Sequence, residues 1–199
     1  RGNQIGMIFQ EPMTALNPLM RIGDQIAEVF AAHDRYTQSE RRERALALIR
    51  EVQLPDPEKI IRAYPFQLSG GQRQRAMIAM ALALEPKLLI ADEPTTALDV
   101  TTQAQILKLI LDLRERRGMA VMFITHDFGV VAEIADQVIV MREGKVVERG
   151  AAATVLNDPQ HDYTRRLLDA IPTGRLPEAR TLSETPALEI KGLRKIYRT

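Results

Sequence analysis

The sequence has no cysteine, only three histidines and almost no net charge, and each of these shortages excludes a class of function. Without cysteine, the 199 residues cannot form disulfides, thiolate zinc sites, iron–sulfur clusters or a thiol nucleophile. Three histidines argue against a histidine-rich metal site. A formal net charge of +1 excludes a polyanion-binding protein that works through bulk charge alone.

Long apolar runs are also missing. The longest wholly apolar run, residues 76–84, is far shorter than the roughly 20 residues that a membrane-spanning helix needs. No secretory signal pattern is present, and the first residue is Arg1 rather than Met. From these features we expect a piece of a longer polypeptide, with one domain and a remainder. A hydrophobic content of 45% is enough to build a core.

Apolar periodicity predicts alternating strands and helices in the second half of the chain. Residues 88–91 are a continuous apolar run, and residues 120–125 are apolar up to Thr125; both segments are typical of parallel strands buried on both faces. Amphipathic or apolar helical patterns surround them at residues 72–85, 101–117 and 128–135, and a hairpin follows at 138–148. The pattern predicts an α/β fold with a largely parallel sheet.

The first part of the chain is mostly helical. A short strand is predicted at residues 5–9 and a loop at 11–20, because Pro12, Asn17 and Pro18 interrupt any regular pattern. Helices follow at 22–32 and 39–52, the second with Ser39 as its expected N-cap. This part is expected to be an insertion before the alternating region.

Polar residues follow each predicted strand of the sheet. Asp92 and Glu93 end the strand at 88–91, where open α/β sheets bind ligands. An Asp at this place can hold Mg²⁺, and a neighbouring carboxylate can orient or deprotonate water. Gln10 and His126 end two other strands and could reach a metal, a water or a phosphate. Taken singly, the acids could equally be solvated, and Gln10 and His126 could be ordinary surface or turn residues.

A glycine-rich segment precedes the apolar helix at 72–85. Ser69, Gly70, Gly71 and Gln72 leave backbone N–H groups at a helix N-terminus, where an anion is attracted by the helix dipole. The glycines allow a phosphate to approach the main chain closely. An ordinary N-cap and turn is the alternative interpretation of this segment. Asp99 likewise could serve only as the N-cap of the helix that follows it.

The order of these segments resembles the nucleotide-binding domain of ABC-type ATPases. Phe9-Gln10 is similar to the Q-loop, LSGGQRQR at 68–75 to the ABC signature, and residues 88–93 to the Walker B strand with its catalytic Glu. Residues 97–99 are similar to the D-loop and 125–127 to the H-switch. The segments 10–18, 64–69 and 161–168 further resemble importers of di- and oligopeptides, nickel and glutathione.

The resemblance implies a role for each motif residue. Glu93 would be the catalytic base and His126 would contact the γ-phosphate of ATP. Asp92 and Gln10 would hold Mg²⁺, and Gln10 would also transmit the state of the Mg²⁺ site to the membrane subunits. Ser69, Gly70, Gly71 and Gln72 would bind ATP held by a paired domain, and Asp99 would couple the two half-sites.

The resemblance also implies partners and a place in the cell. A second ABC ATPase domain and transmembrane permease subunits would bind directly, and a solute-binding protein would act indirectly. The protein would lie peripherally on the cytoplasmic face of a bacterial inner membrane, and no nucleic acid is expected as partner. A soluble ABC ATPase acting on nucleic acid is the alternative, but residues 11–68 contain prolines and no sustained heptads for the coiled coil of that class. A non-catalytic regulatory module is the third interpretation.

One family element is absent from the sequence. No G-x-x-x-x-G-K-[ST] phosphate-binding loop occurs in the 199 residues, although in the family it precedes the Q-loop. We therefore expect a P-loop NTPase-like ABC domain that lacks its Walker A part, and we expect these residues alone to be inactive.

The motifs also predict how the chain is organised. Residues 1–10 would end the truncated ATPase core, residues 11–83 would form a helical subdomain with the signature, and residues 84–150 would complete the core. Residues 151–187 would be a tail and linker. Residues 188–199 begin with alternating apolar and polar side chains, and they resemble the first strand of a second ABC domain in a tandem protein.

Overall fold

A computed structural model describes residues 3–96, 98–171 and 190–195. The described strands are β1 (Ile5–Ile8), β2 (Leu88–Asp92), β3 (Ala120–Ile124), β4 (Gln137–Arg142) and β5 (Lys145–Ala151). The described helices are α1 (Pro12–Ala15), α2 (Ile22–Ala31), α3 (Gln38–Glu51), α4 (Pro57–Ile60), α5 (Gly70–Leu82), α6 (Val100–Arg117), α7 (Phe128–Ile134), α8 (Ala152–Asn157) and α9 (Asp162–Asp169), with a 3₁₀ turn at Pro65–Gln67. The α/β prediction is confirmed.

The first three strands form one parallel sheet in the order β1-β2-β3. Parallel neighbours need crossover connections, which here are the helices α1 to α5 between β1 and β2 and the helix α6 between β2 and β3. The register pairs Ile8 with Ala91 and Ala91 with Phe123. All three strands therefore end at the same edge of the sheet. β4 and β5 form a separate antiparallel hairpin.

One face of the parallel sheet is buried and the other is not. Ile8, Leu89 and Ala91 are fully buried and pack in one core with α5 and α6. On the opposite face, large apolar side chains remain 40–48% exposed: Ile5, Met7, Met122 and Ile124. The prediction that the strands at 88–91 and 120–125 are buried on both faces is therefore wrong, because no described element packs over this second face.

Local capping explains where the helices begin and end. α3 begins after Thr37, not Ser39, because Thr37 forms a capping box with Glu40, whose carboxylate accepts the Thr37 backbone N–H at 2.7 Å. Ser39 has Arg42 rather than an acid or amide three residues later. α6 has Asp99 as its N-cap and ends at Gly118, which has φ of 59° as a left-handed C-cap requires. Residues 11–20, predicted as loop, contain the single turn α1.

A partly buried ion pair joins α3 to α6. Arg117 donates from Nε to Glu51 at 2.9 Å, donates a second bond from Nη2 to the same carboxylate, and reaches the Leu82 carbonyl oxygen at 3.1 Å. The side chains of Arg117 and Glu51 are only 20% and 25% exposed. A bidentate pair with this burial contributes more than a solvated surface pair.

We expect Arg117→Met to lower the free energy of unfolding by about 2 kcal/mol, because Glu51 and the Leu82 carbonyl lose charged donors. Arg116→Met is the matched control, since Arg116 is exposed and, among the described residues, bonds only to the Asp112 carbonyl. Urea unfolding of both variants measures the difference. If the two variants have equal free energies of unfolding, the ion pair of Arg117 with Glu51 contributes no stability beyond the packing of the Arg117 side-chain carbons.

The C-terminal predictions lie largely outside the described residues. Residues 172–189 and 196–199 are not described, and Ile190 to Lys195 form neither helix nor strand. The second-domain strand at 188–199 and the domain boundaries therefore stay predictions. In the part of the chain that the structure describes, no helix is both long and apolar enough to cross a membrane.

Candidate active site at the carboxyl ends of the parallel strands

Three predicted site residues meet where the parallel strands end. Gln10 lies just beyond β1, Glu93 directly follows β2, and His126 lies just beyond β3. The Gln10 side-chain Nε2 donates to Glu93 Oε2 at 2.8 Å, and His126 Nδ1 lies 3.0 Å from Glu93 Oε1. Residues 83 and 33 positions apart in the chain thus contact one carboxylate. The shared strand direction produces this convergence.

Thr96 is a fourth member of the cluster that sequence reasoning missed. Its hydroxyl donates to Glu93 Oε2 at 2.9 Å, so this oxygen accepts from both Gln10 and Thr96. The signal in the sequence was the spacing of three residues between Glu93 and Thr96, inside a Pro-containing turn. A side chain at that spacing in a turn lies close to the first residue, as it does in a capping box.

The main chain at Glu93 adopts an uncommon conformation. Its φ is 44°, in the left-handed region that residues other than glycine rarely occupy. Its backbone N–H donates to the Ile124 carbonyl at 2.9 Å, which fixes Glu93 to the end of β3. Backbone strain of this kind is concentrated at functional sites. Here it directs the carboxylate towards the side chains that follow the neighbouring strands.

Hydrogen bonds favour the ionised form of the Glu93 carboxyl. The hydrogen bond from His126, then the one from Thr96, lower the pKa of the Glu93 carboxyl, and burial opposes them only in part. A carboxylate that stays charged at neutral pH can accept a proton from water. If the ring proton of His126 is on Nδ1, it faces the Glu93 carboxylate. Nε2 is then unprotonated and can accept a hydrogen bond from another group.

Asp92 and Gln10 provide oxygen atoms for a cation. Within the described residues, the Asp92 carboxylate and the Gln10 amide oxygen make no hydrogen bond or ion pair. The same residues contain no cluster of three or more acidic or His side chains that could hold a metal by itself. This donor set fits Mg²⁺, which proteins commonly bind through one or two carboxylates together with substrate phosphates and water.

The predicted signature residues form a second, separate group. Ser69 is the N-cap of α5, which begins at Gly70, two residues before its predicted start. Its hydroxyl accepts the Gln72 backbone N–H at 3.3 Å, and Gln72 Oε1 accepts the Ser69 backbone N–H at 2.9 Å. The Gln72 side chain is therefore used in the cap. The Ser69 hydroxyl proton and the N–H groups of Gly70 and Gly71 stay available to an anion.

Thr102 lies against the signature helix, and Asp99 holds Thr102 in place at the start of α6. The Asp99 carboxylate accepts the Thr102 backbone N–H at 3.0 Å and the Thr102 hydroxyl at 2.7 Å. A Cβ on Gly71 would lie 2.6 Å from Thr102 Cγ2, so the two helix N-termini are in close contact. Asp99 is thus an N-cap, as one interpretation had it. In the described part of the chain, no hydrogen bond or ion pair joins the Glu93 group to the Ser69 group.

A cleft of about 540 Å³ adjoins His126. It lies between β3 and the hairpin β4–β5, and its lining is mostly apolar, including Val121, Phe123, Val138 and Val140. Among the described residues, the edge of β3 away from β2 has no paired strand.

Comparison with known proteins identifies relatives over most of the chain. Residues 1–96 match the family model described as "ABC transporter". The chain is 59% identical over 179 residues to a peptidoglycan transport ATP-binding protein of Agrobacterium fabrum, covering 90% of this chain and 33% of the relative. It is 53% identical over 173 residues to the oligopeptide transport ATP-binding protein OppD of Lactococcus lactis, covering 87% of this chain and 51% of the relative.

A solved structure has the same fold. A dimeric ATP-binding cassette in a post-hydrolysis state, bound to ADP and Pi, superposes with a TM-score of 0.66 at 34% identity, covering 76% of this chain and 64% of that one. The chain spans between about a third and just over half of the length of the first curated relatives it matches.

Proposed function

We propose that this chain, whose residues 1–96 match the ABC transporter family model and whose fold is that of a solved ATP-binding cassette, belongs to the ABC transporter family and is part of the ATP-hydrolysing subunit of an importer for peptides or similar small solutes. The observation that carries the proposal is the convergence of Gln10 and His126 on the Glu93 carboxylate at the carboxyl edge of the sheet. That arrangement suits a base that takes a proton from water beside a phosphate.

In this proposal, the Glu93 group and the Ser69 group have different parts in ATP hydrolysis. The Glu93 carboxylate would accept the proton of the attacking water, and His126 would turn towards the γ-phosphate. Asp92 and Gln10 would hold Mg²⁺, which neutralises phosphate charge when bound. The Ser69 hydroxyl and the Gly70 and Gly71 N–H groups would contact ATP held by a second ATPase domain, with Asp99 at the contact between the halves. Because the 199 residues contain no G-x-x-x-x-G-K-[ST] loop, the proposal concerns the assembly in which such a loop is supplied.

The partners follow from the same proposal. Transmembrane permease subunits would bind directly, and a solute-binding protein would deliver the solute. The subunit would lie peripherally on the cytoplasmic face of a bacterial inner membrane. The relatives include the oligopeptide transport ATP-binding protein of Lactococcus lactis and the glutathione import ATP-binding protein of Escherichia coli. These names favour transport over action on nucleic acid.

The test is hydrolysis coupled to transport. We expect the complete gene product, reconstituted with its membrane subunits in vesicles, to hydrolyse ATP in a Mg²⁺-dependent reaction that a solute-loaded binding protein stimulates. Chelation of Mg²⁺ by EDTA serves as the control. Stimulation by DNA instead of by the loaded binding protein would favour the nucleic-acid alternative, and binding of ATP without turnover would favour a regulatory module.

A further inference from the structure

We propose that Thr96 is a positioning residue that fixes the Glu93 carboxylate in its water-activating orientation. This inference rests on the proposed function, because it assigns Thr96 a part in the same hydrolysis. Thr96 differs from the motif residues in that it acts through Glu93 and would touch neither water nor nucleotide.

Two contacts tie Thr96 to Glu93. The Thr96 hydroxyl donates to Glu93 Oε2 at 2.9 Å, and the Thr96 backbone N–H donates to the Glu93 carbonyl at 3.3 Å. A second turn bond runs from the Leu98 N–H to the Thr95 carbonyl at 3.1 Å. Thr95 is only 7% exposed, which anchors the middle of the turn. The donor and the acceptor therefore belong to one short turn and move together.

The other two donors to Glu93 come from elsewhere. Gln10 follows β1 and His126 follows β3, and the His126 side chain is 74% exposed. In the proposed reaction these are the residues that turn to Mg²⁺ and to the γ-phosphate. When Gln10 and His126 have turned away, the Thr96 hydroxyl still donates to Glu93 Oε2. Glu93 Oε1 is then open towards water. Without the Thr96 hydroxyl the carboxylate is free to rotate about its terminal bonds.

The decisive measurement is steady-state ATP hydrolysis by the complete gene product in its transport assembly. Thr96→Val keeps the branched shape and removes the donor, so we expect kcat to fall about 10-fold or more while the KM for ATP changes little. Thr96→Ser restores the donor and should recover most of kcat. Thr101→Val is the matched control, because Thr101 is exposed and its side chain makes no described hydrogen bond. Unchanged thermal melting of Thr96→Val separates this effect from misfolding.

A second measurement tests whether Thr96 acts through Glu93. In a Glu93→Gln background, adding Thr96→Val should cause no further loss of the residual rate, because the group being positioned is already gone. A further 10-fold loss there, a kcat for Thr96→Val equal to that of the unmodified protein, or a failure of serine to rescue would each overturn the proposal. If the unmodified protein itself does not hydrolyse ATP, it is the proposed function that fails.

Discussion

Glu93→Gln is expected to reduce ATP turnover by at least about 100-fold while leaving ATP-driven association of the ATPase domains intact. The amide has nearly the size and shape of the carboxylate, so the turn after β2 has no steric reason to change. It cannot accept the proton of the attacking water, however. Turnover is measured with the complete gene product. Association of the ATPase domains is followed by comparing the elution volume of the protein with and without ATP.

The contacts around Glu93 show which hydrogen bonds the amide would have to remake. Both carboxylate oxygens accept hydrogen bonds, one from Gln10 and Thr96 and the other beside His126. An amide presents an N–H group in place of one oxygen; when its oxygen accepts from Gln10 and Thr96, that N–H faces His126 Nδ1, which must then accept. Glu115→Gln is the control, since Glu115 is exposed on α6 and distant in sequence from the site. Wild-type turnover by Glu93→Gln would show that another group activates the water.

Gly71→Ala is expected to lower kcat/KM for ATP by about 10- to 100-fold, whereas Gly70→Ala lowers it less. A methyl group on Gly71 would lie 2.6 Å from Thr102 Cγ2, a distance that requires one helix N-terminus to shift. A methyl group on Gly70 would meet Leu98 Cδ2 at 3.6 Å, an ordinary contact. Thr102 cannot easily yield, because two hydrogen bonds hold it on Asp99.

A compensating change makes this prediction specific. Thr102→Ser removes the Cγ2 methyl group but keeps the hydroxyl that bonds to Asp99. The double variant Gly71→Ala/Thr102→Ser should therefore regain much of the lost kcat/KM, while Thr102→Ser alone stays close to the unmodified protein. If the double variant is as impaired as Gly71→Ala, the methyl group acts on the bound phosphate rather than on the contact between α5 and α6.

The sequence allowed the strands, the helices and the place of the site to be predicted, because each depends on local patterns. Parallel strands end at one edge of a sheet, which is why Gln10, Glu93 and His126, each predicted to follow a strand, lie near one another. Their shared hydrogen bonds could not be predicted, since these depend on rotamers and on the positive φ at Glu93. Thr96 was missed for the same reason.

The errors have physical causes too. Ser39 and Thr37 are both residues that cap helices, and Glu40, three residues after Thr37, selects Thr37 by completing a capping box. The apolar strands at 88–91 and 120–125 look alike in sequence whether one face or two are covered. Burial of the second face depends on what packs there, which the strand sequence itself does not contain.

The uncovered face of the parallel sheet also governs how the protein behaves in concentrated solution. Ile5, Met7, Met122 and Ile124 form a contiguous apolar surface next to an unpaired strand edge in the described structure, a combination that favours sheet-to-sheet and edge-to-edge adhesion between molecules. A net charge of +1 supplies little long-range repulsion against such contacts. We therefore expect coverage of that face to affect the colloidal stability of this chain more than its net charge does.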